Sequence, residues 1–317
     1  MLSRTSRNQA KRAILKLHKL GLRLGIVVLP NHYYTGVADL NELARTRNLW
    51  ARKSSMRGVE CDLDGQANRL RKVCAPFETE YRGNRVYREA VQSNSGPGFG
   101  YVEAQALYAV VRHIKPSRII EVGSGVSTRC TLAACARNRE DTGDDPKVTC
   151  IEPFPRPWLR DARVEMIEKP VQSVEPALFE SLEPGSLLFI DSSHAVRTGG
   201  DVNYLVLEVM PRLKPGVIVH FHDIYLPYDY PRTATATLSQ AQETALLHAY
   251  LIGNHAVRIL FSLGQLHYER PLALEEVFPE YRPQRDRDGL CDESYDPFDE
   301  VPEHFPSSLY LEIVRNV

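Results

Sequence analysis

The chain has 317 residues, of which 43% are hydrophobic and 25% are charged. These proportions are ordinary for a globular protein and exclude a disordered, collagen-like or disulfide-scaffold protein. The 39 basic and 40 acidic side chains leave a formal charge of −1. A dedicated nucleic-acid binder would have a strong overall positive charge, so we expect a small-molecule partner and no nucleic acid.

The N-terminal residues predict a basic helical arm. Residues 8–24 carry leucines and isoleucines among lysines and arginines in a mostly helical pattern. Residues 1–75 hold 15 basic and 5 acidic side chains, whereas 271–304 hold 3 and 11. We therefore expect the arm either to be solvated or packed on the acidic part of the chain, or to touch an anionic lipid or glycan surface weakly.

The arm does not predict a membrane span or a secretion signal. Its longest apolar run, 24–30, is far shorter than a bilayer requires, and Lys16, Lys19 and Arg23 interrupt any signal core. The six cysteines form no Cys-x-x-Cys pair, which favours free thiols in a reducing compartment. The sequence therefore predicts a cytoplasmic protein.

After the arm, turn formers and aromatic residues at 30–39 precede a helix at 40–52, and a loop follows at 94–98. From there short buried runs alternate with helices, which is typical of a mostly parallel sheet covered on both faces. The predicted strands are 118–122, 147–151, 164–167, 186–190, 216–221, 255–262 and 308–314; the predicted helices are 101–114, 127–139, 199–213 and 233–252. The acidic, proline-bearing stretch 279–306 is expected to be a surface excursion.

A glycine turn follows the first strand of this series, in the string Ile119-Ile-Glu-Val-Gly-Ser-Gly-Val-Ser-Thr128. Gly123 and Gly125 allow the backbone to approach a ligand closely, and the turn leads directly into a helix. A dinucleotide-binding turn has a third small residue where this chain has Thr128, which argues against NAD.

The string instead resembles the first motif of class I S-adenosylmethionine (SAM)-dependent methyltransferases, especially the methyltransferase 24 type. The resemblance continues through Leu187-Leu-Phe-Ile-Asp-Ser-Ser-His194 and Val219-His-Phe-His-Asp-Ile-Tyr-Leu-Pro-Tyr-Asp-Tyr-Pro231. It implies a Rossmann-like α/β fold with a seven-stranded, mostly parallel sheet of order 3-2-1-4-5-7-6, whose seventh strand is antiparallel. We accordingly expect an N-terminal arm and lid segment at 1–93 and a SAM-binding domain at 94–317.

The resemblance and the residue chemistry together indicate a cofactor site. Glu121 is a candidate partner for the ammonium group of the cofactor, and Glu152 at the end of the second strand is placed to accept both ribose hydroxyls. Gln172 lies where relatives contact adenine. The predicted cofactor residues are Glu121, Gly123, Ser124, Gly125, Ser127, Glu152, Gln172 and Asp191.

Residues that follow the fourth and fifth strands should face the transferred methyl group, because ligands of parallel sheets lie beyond the carboxyl ends of the strands. By resemblance to metal-dependent O-methyltransferases, Asp191 and Asp223 would be metal ligands and His194 the general base, with Asp191 also serving catalysis. His222 stands where an acid is usual, and imidazole suits zinc, iron or manganese better than magnesium. His220 alternates onto the same face as His222 and is as compatible with packing as with function.

Three functions remain open at this point. The first is a SAM-dependent O-methyltransferase acting on a small hydroxylated acceptor such as a saccharide or secondary metabolite, with or without a divalent metal. The second is a non-haem Fe(II) hydroxylase on the same scaffold, similar to cephalosporin hydroxylases, because two imidazoles and a carboxylate suit that metal. The third is a non-catalytic SAM-binding protein. His32, Tyr33 and Tyr34 are also considered as a lid over the acceptor.

Overall fold

The computed structural model describes residues 4–31, 36–94, 98–237, 241–284, 286, 288–291 and 305–316. The chain divides into two compact units, residues 1–50 and 51–317. The predicted lid residues His32, Tyr33 and Tyr34 lie outside the described residues, as do 292–304 of the predicted acidic excursion.

The described residues of the first unit form the helices α1 (Arg4–Arg23), α2 (Leu40–Arg45) and α3 (Arg47–Trp50). The side chain of Asp39 caps α2 by accepting hydrogen bonds from the backbone amides of Asn41 and Glu42. Within the described ranges, no helix is both long and apolar enough to cross a membrane.

The second unit is built on a seven-stranded sheet of order β3-β2-β1-β4-β5-β7-β6. Strand β7 is antiparallel to both of its neighbours, β5 and β6, and the remaining pairs are parallel. The predicted fold and strand order are therefore confirmed. The strands are β1 (Arg118–Val122), β2 (Lys147–Ile151), β3 (Glu165–Ile167), β4 (Leu187–Ile190), β5 (Ile218–Phe221), β6 (Val257–Ser262) and β7 (Leu309–Ile313).

Helices surround the sheet. They are α4 (Leu63–Cys74), α5 (Glu78–Tyr81), α6 (Arg85–Asn94), α7 (Tyr101–Ile114), α8 (Val126–Thr142), α9 (Pro157–Arg160), α10 (Ala177–Glu180), α11 (Asp201–Tyr204), α12 (Glu243–Leu251), α13 (Leu263–Glu269) and α14 (Pro271–Val277). A π-helical turn at Leu205–Val209 and a 3₁₀ turn at Met210–Arg212 continue α11, so the helix predicted at 199–213 is present but irregular.

The strands are buried on both faces because apolar side chains alternate between two cores. Ile119 and Phe189 belong to a core with Leu107 of α7, whereas Ile120 and Leu188 belong to the core on the opposite face. This two-sided burial explains why the parallel strands appear in the sequence as continuous apolar runs.

The structure differs from the predicted division of the chain near residue 93. Leu70 of α4 and Ala90 of α6 are buried in the same core as Leu107 and Ile119. The division between units falls instead at 50/51. The cause is the apolar face of α4 and α6, which is buried with the sheet and not exposed as part of an arm.

The helix predicted at 233–252 is wrong at 233–237, and 238–240 lie outside the described residues. The structure has turns at 232–236, and α12 begins only at Glu243. Alternate residues from Thr233 to Thr237 are threonines, and the Thr237 hydroxyl donates to the Thr233 carbonyl at 3.3 Å. Such local bonds and the branched side chains both disfavour a regular helix.

Candidate active site

The carboxyl ends of β1, β4 and β5 bring three loops together. Beyond the strands, the amide of Asp191 donates to the carbonyl of Val122 at 2.9 Å, and the amide of His222 donates to that of Ile190 at 3.0 Å. The sheet hydrogen bonds thus continue into the loops, and the loop residues take their positions from the rigid sheet.

The glycine turn after β1 is shaped by close contact with the β4 loop. Gly123 has φ +82°, and a Cβ atom there would lie 1.9 Å from the carbonyl oxygen of Asp191. Only glycine fits this position, because any side chain would collide with backbone. The turn motif therefore fixes the distance between the β1 loop and Asp191.

Glu121, predicted as a cofactor residue, is buried within the glycine turn. Its side chain is 1% exposed, and one carboxylate oxygen accepts hydrogen bonds from Ser127 Oγ at 2.6 Å and Thr128 Oγ1 at 3.0 Å. Glu121 and Ser127 are therefore hydrogen-bonded to each other within the turn, and neither is among the residues that line the pocket described next. Thr128 also accepts from the amide of Gly125 at 3.0 Å, which gives this unexpected residue a role in the turn.

A pocket of about 400 Å³ opens beside the turn. It is lined by Gly123, Glu152, Gln172 and Asp191 of the predicted set, and by Phe154 and Arg197, which sequence reasoning missed. Its volume is in the range of small-molecule sites. The side chain of Phe154 is 87% exposed near Glu152. Its position two residues after the acid that ends a strand is a sequence signal that could have identified Phe154 as a pocket residue.

Glu152 is one of the residues that line this pocket. One carboxylate oxygen accepts from the amide of Ser124 at 3.2 Å and from its hydroxyl at 3.4 Å, and the other accepts from the amide of Phe154 at 2.8 Å. The carboxylate is thus held at the end of β2, in the position predicted for a ribose contact, and Ser124 lies beside it.

Asp191, His194 and Asp223 form a cluster next to the pocket. Nε2 of His194 lies 3.2 Å from Asp191 Oδ1 and 3.5 Å from Asp223 Oδ2. One donor atom from each of the three residues lies within 4.8 Å of the others, a spacing that suits a metal ion. His194 and Asp223 both have φ +56°, an unfavourable conformation that is characteristic of functional sites.

The first turn of α12 holds the two loops of this cluster. Glu243, which is 1% exposed, binds Nδ1 of His194 at 2.8 Å, and the amides of Gln242 and Glu243 donate to the His194 carbonyl at 2.9 and 3.2 Å. The next residue, Thr244, accepts from the amide of Tyr225 at 3.2 Å. Sequence analysis missed Glu243 because it is 49 residues from His194 and no local pattern marks it.

His222 is buried behind the carboxylates. Its Nδ1 lies 3.3 Å from Asp191 Oδ1 and 3.9 Å from Asp223 Oδ2, and its Nε2 lies 3.1 Å from Glu103 Oε1. Neither ring nitrogen has an aligned hydrogen bond to another described residue. The ring of His222 therefore lies between Asp191 and Glu103, and its Nδ1 faces the two carboxylates of the cluster.

His220 is a packing residue in this structure. It is fully buried, its ring stacks on Tyr310 at 4.0 Å, and its Nε2 lies 2.8 Å from the hydroxyl of Ser308. Burial, followed by the nearby charge of His222, holds the pKa of His220 well below its usual value, so the ring is neutral. Of the two alternatives left open by the sequence, the geometry favours packing.

The charges of the cluster shift its pKa values strongly. Burial alone would lower the pKa of His194, but hydrogen bonds to Asp191 and Glu243 and the charge of Asp223 outweigh it and raise the pKa to about 10. Burial is similarly outweighed at His222, whose pKa is raised well above its usual value by Asp223, Asp191 and Glu103. Asp191 has a lowered pKa because both imidazoles outweigh its own burial. Without another cation, the cluster is a set of ion pairs at neutral pH.

Comparison with known proteins agrees with this geometry. Residues 120–224 match the family model described as "Methyltransferase domain". Over this segment the chain is therefore similar to methyltransferase domains. The resemblance predicted from the glycine turn is thereby confirmed, and the matched segment spans β1 to the loop after β5.

The chain is also similar to several individual proteins. A protein from Archaeoglobus fulgidus described as uncharacterized is 27% identical over 175 residues, which is 50% of this chain and 76% of that protein. A candidate methyltransferase structure from Thermobifida fusca is 12% identical with a TM-score of 0.38, covering 84% of this chain and 96% of that one. The MycE methyltransferase of the mycinamycin pathway, with Mg and SAH, is 13% identical with a TM-score of 0.35, covering 73% and 55%. Structural similarity at this level carries no argument about activity.

Proposed function

We propose that the protein is a SAM-dependent O-methyltransferase that transfers a methyl group to a hydroxyl of a small polar acceptor. The observation that supports this best is the position of Asp191. It lines the 400 Å³ pocket and also lies 3.2 Å from His194. A cofactor in the pocket would therefore present its reactive end to the cluster of acids and imidazoles.

The pocket residues fit SAM. Glu152 would accept hydrogen bonds from the ribose hydroxyls in place of its present loop contacts, and the exposed ring of Phe154 offers an apolar surface to the adenine. Gln172 lies on the same wall. The sulfonium cation is also favoured electrostatically, because Asp191 is ionised at this end of the pocket.

His194 is the proposed general base. Methyl transfer to a hydroxyl requires alignment of the acceptor and removal of its proton, and Nε2 of His194 faces the cluster while Nδ1 is held by Glu243. The ring must be neutral to accept a proton, yet the surrounding carboxylates hold its pKa at about 10. Additional positive charge beside Asp191 and Asp223 would lower that pKa.

The donor set fits a divalent cation, which we propose is held by Asp191, Asp223 and His222. The carboxylates are present at ligand spacing, and the buried nitrogens of His222 lack aligned hydrogen bonds among the described residues. When bound, such an ion would lower the pKa of an acceptor hydroxyl and offset the negative charge around His194.

The test uses purified protein, SAM with an isotopically labelled methyl group, and a panel of hydroxylated acceptors analysed by mass spectrometry. A product that gains the labelled methyl supports the proposal. A product that gains an oxygen instead would favour the Fe(II) hydroxylase, since His194, His222 and Asp191 also supply two imidazoles and a carboxylate.

Binding is measured separately by calorimetry with S-adenosylhomocysteine (SAH). Glu152→Ala should weaken SAH binding roughly 10- to 100-fold, because it removes charge-assisted hydrogen bonds. His194→Ala should leave that affinity nearly unchanged while it abolishes most turnover. Absence of binding to both SAM and SAH by folded protein would refute the proposal.

A further inference from the structure

The charges of the chain are separated along its length. Residues 1–38 contain seven lysines and arginines and no acidic residue, whereas residues 39–317 contain 32 basic and 40 acidic side chains. The first segment therefore has a charge of about +7 and the rest about −8 by the same counting. Such an excess of positive charge in a short segment favours a negatively charged partner.

Helix α1 presents apolar as well as basic side chains to solvent. Lys16, Lys19 and Arg23 recur at helical spacing and form one stripe. Ile14, Leu17 and Leu20 follow one another at three-residue spacing, with exposed fractions of 39%, 53% and 54%, and Leu20 adjoins the stripe four residues after Lys16. An exposed apolar face beside a basic stripe is the pattern of helices that lie in the surface of a membrane.

The chain then folds back on the end of α1 and extends the apolar surface. The amide of Ile26 donates to the carbonyl of Gly21 at 2.9 Å, and Nδ1 of His18 lies 2.8 Å from the carbonyl of Val28. This hook, residues 24–29, leaves Leu24, Ile26, Val27 and Leu29 exposed. Gly21 is needed at the bend, because a Cβ atom there would lie 2.7 Å from the carbonyl oxygen of Ile26.

We propose that α1 and the hook form a docking surface for a lipid bilayer that contains anionic headgroups. The apolar side chains enter the headgroup region while the lysines and arginines contact the phosphates. The helix lies on the surface, since no helix in the described part of the chain can span a bilayer. Its combination of exposed apolar area and positive charge fits a bilayer better than a purely acidic protein surface, which would leave the apolar residues in water.

The experiment measures cosedimentation of the full-length protein with vesicles. Vesicles of phosphatidylcholine mixed with phosphatidylglycerol should bind the protein at least tenfold more tightly than vesicles of phosphatidylcholine alone, and added salt should weaken that binding. The double variant Ile26→Ser, Val27→Ser should lose binding to the mixed vesicles at least tenfold, and so should Lys16→Glu, Lys19→Glu.

The matched control reverses two exposed basic residues of the second unit, Arg57→Glu and Lys72→Glu, and should bind like the unaltered protein. Melting curves verify that every variant is folded. Equal binding by the arm variants and the unaltered protein would overturn the proposal. A second result would also overturn it. If the unaltered protein binds no vesicles but sediments as a dimer, and the Ile26→Ser, Val27→Ser variant abolishes that dimer, the surface joins two copies of the chain.

Discussion

Replacing Glu243 with glutamine should slow methyl transfer without weakening cofactor binding. Glu243 is 1% exposed and binds Nδ1 of His194 at 2.8 Å, so this contact is not screened by solvent. It keeps the proton of a neutral His194 ring on Nδ1 and leaves Nε2 to accept a proton from the substrate. Glutamine has nearly the same shape but no charge, and its amide group can stabilise the wrong tautomer.

The size of the effect follows from the bond that is lost. A hydrogen bond to a charged group contributes about 1.5–3 kcal/mol, which corresponds to roughly 10- to 150-fold in rate. We therefore expect kcat to fall by that factor, while KM for SAM changes little because Glu243 does not line the cofactor pocket.

The assay follows labelled methyl transfer at saturating SAM. Gln242→Ala is the matched control, because only the backbone amide of Gln242 contacts His194 and the variant retains it. A Glu243→Gln rate within twofold of the control, with His194→Ala inactive, would refute the positioning role. Full activity of His194→Ala would instead refute the assignment of the base itself.

Three further predictions concern stability. Gly123→Ala should destabilise the protein and weaken SAH binding far more than Gly143→Ala in melting curves and calorimetry, because both glycines have positive φ but only a Cβ at 123 meets backbone within 4 Å. Burial raises the pKa of Glu121 to about 8. The contribution of Glu121 to the free energy of unfolding is therefore complete below about pH 4.5, and it falls by about 1.4 kcal/mol per pH unit as the pH rises towards 8. Glu121→Gln should flatten that pH dependence in urea titrations. Arg232→Met should cost about 3–5 kcal/mol by leaving buried Asp286 unpaired, and adding Asp286→Leu should recover most of the loss in urea titrations.

The fold was predictable because its signals are local. Strands β1 and β2 have the bounds that the apolar runs predict, since a strand buried on both faces must be apolar along its length. The helix predicted from residue 233 failed for a local reason as well, because threonine hydroxyls compete for backbone hydrogen bonds.

The site was most directly predictable where a residue immediately follows a strand. Asp191, His222 and Asp223 could be placed together because the carboxyl ends of β4 and β5 are adjacent. Glu243 could not be placed in this way, because it reaches His194 only through the tertiary position of α12.

The position of Glu121 could have been predicted from strand geometry. It shares a sheet face with Ile119, and the alternation of strand side chains already indicates that its carboxylate points into the core beneath α8.

The imidazole of His222 beside the two carboxylates leads to a prediction about metal preference. Nδ1 of His222 lies 3.3 Å from Asp191 Oδ1 and 3.9 Å from Asp223 Oδ2. Ligands about 2.1 Å from a tetrahedral ion lie about 3.4 Å from one another, so these atoms are already near ligand spacing. Imidazole nitrogen favours zinc, cobalt, iron or manganese over magnesium.

We therefore expect Zn²⁺ or Co²⁺ to raise the melting temperature more than Mg²⁺ does at equal concentration, because a tighter ligand of the folded state stabilises it more. His222→Ala should weaken Co²⁺ binding at least tenfold in optical titrations, whereas His194→Ala should change it only a few-fold if His194 is the base. Asp201→Asn, in the pocket wall but outside the cluster, is the control. An equal shift with Mg²⁺, or Co²⁺ affinity that His222→Ala leaves intact, would show that the histidine in place of the usual acid does not select the ion.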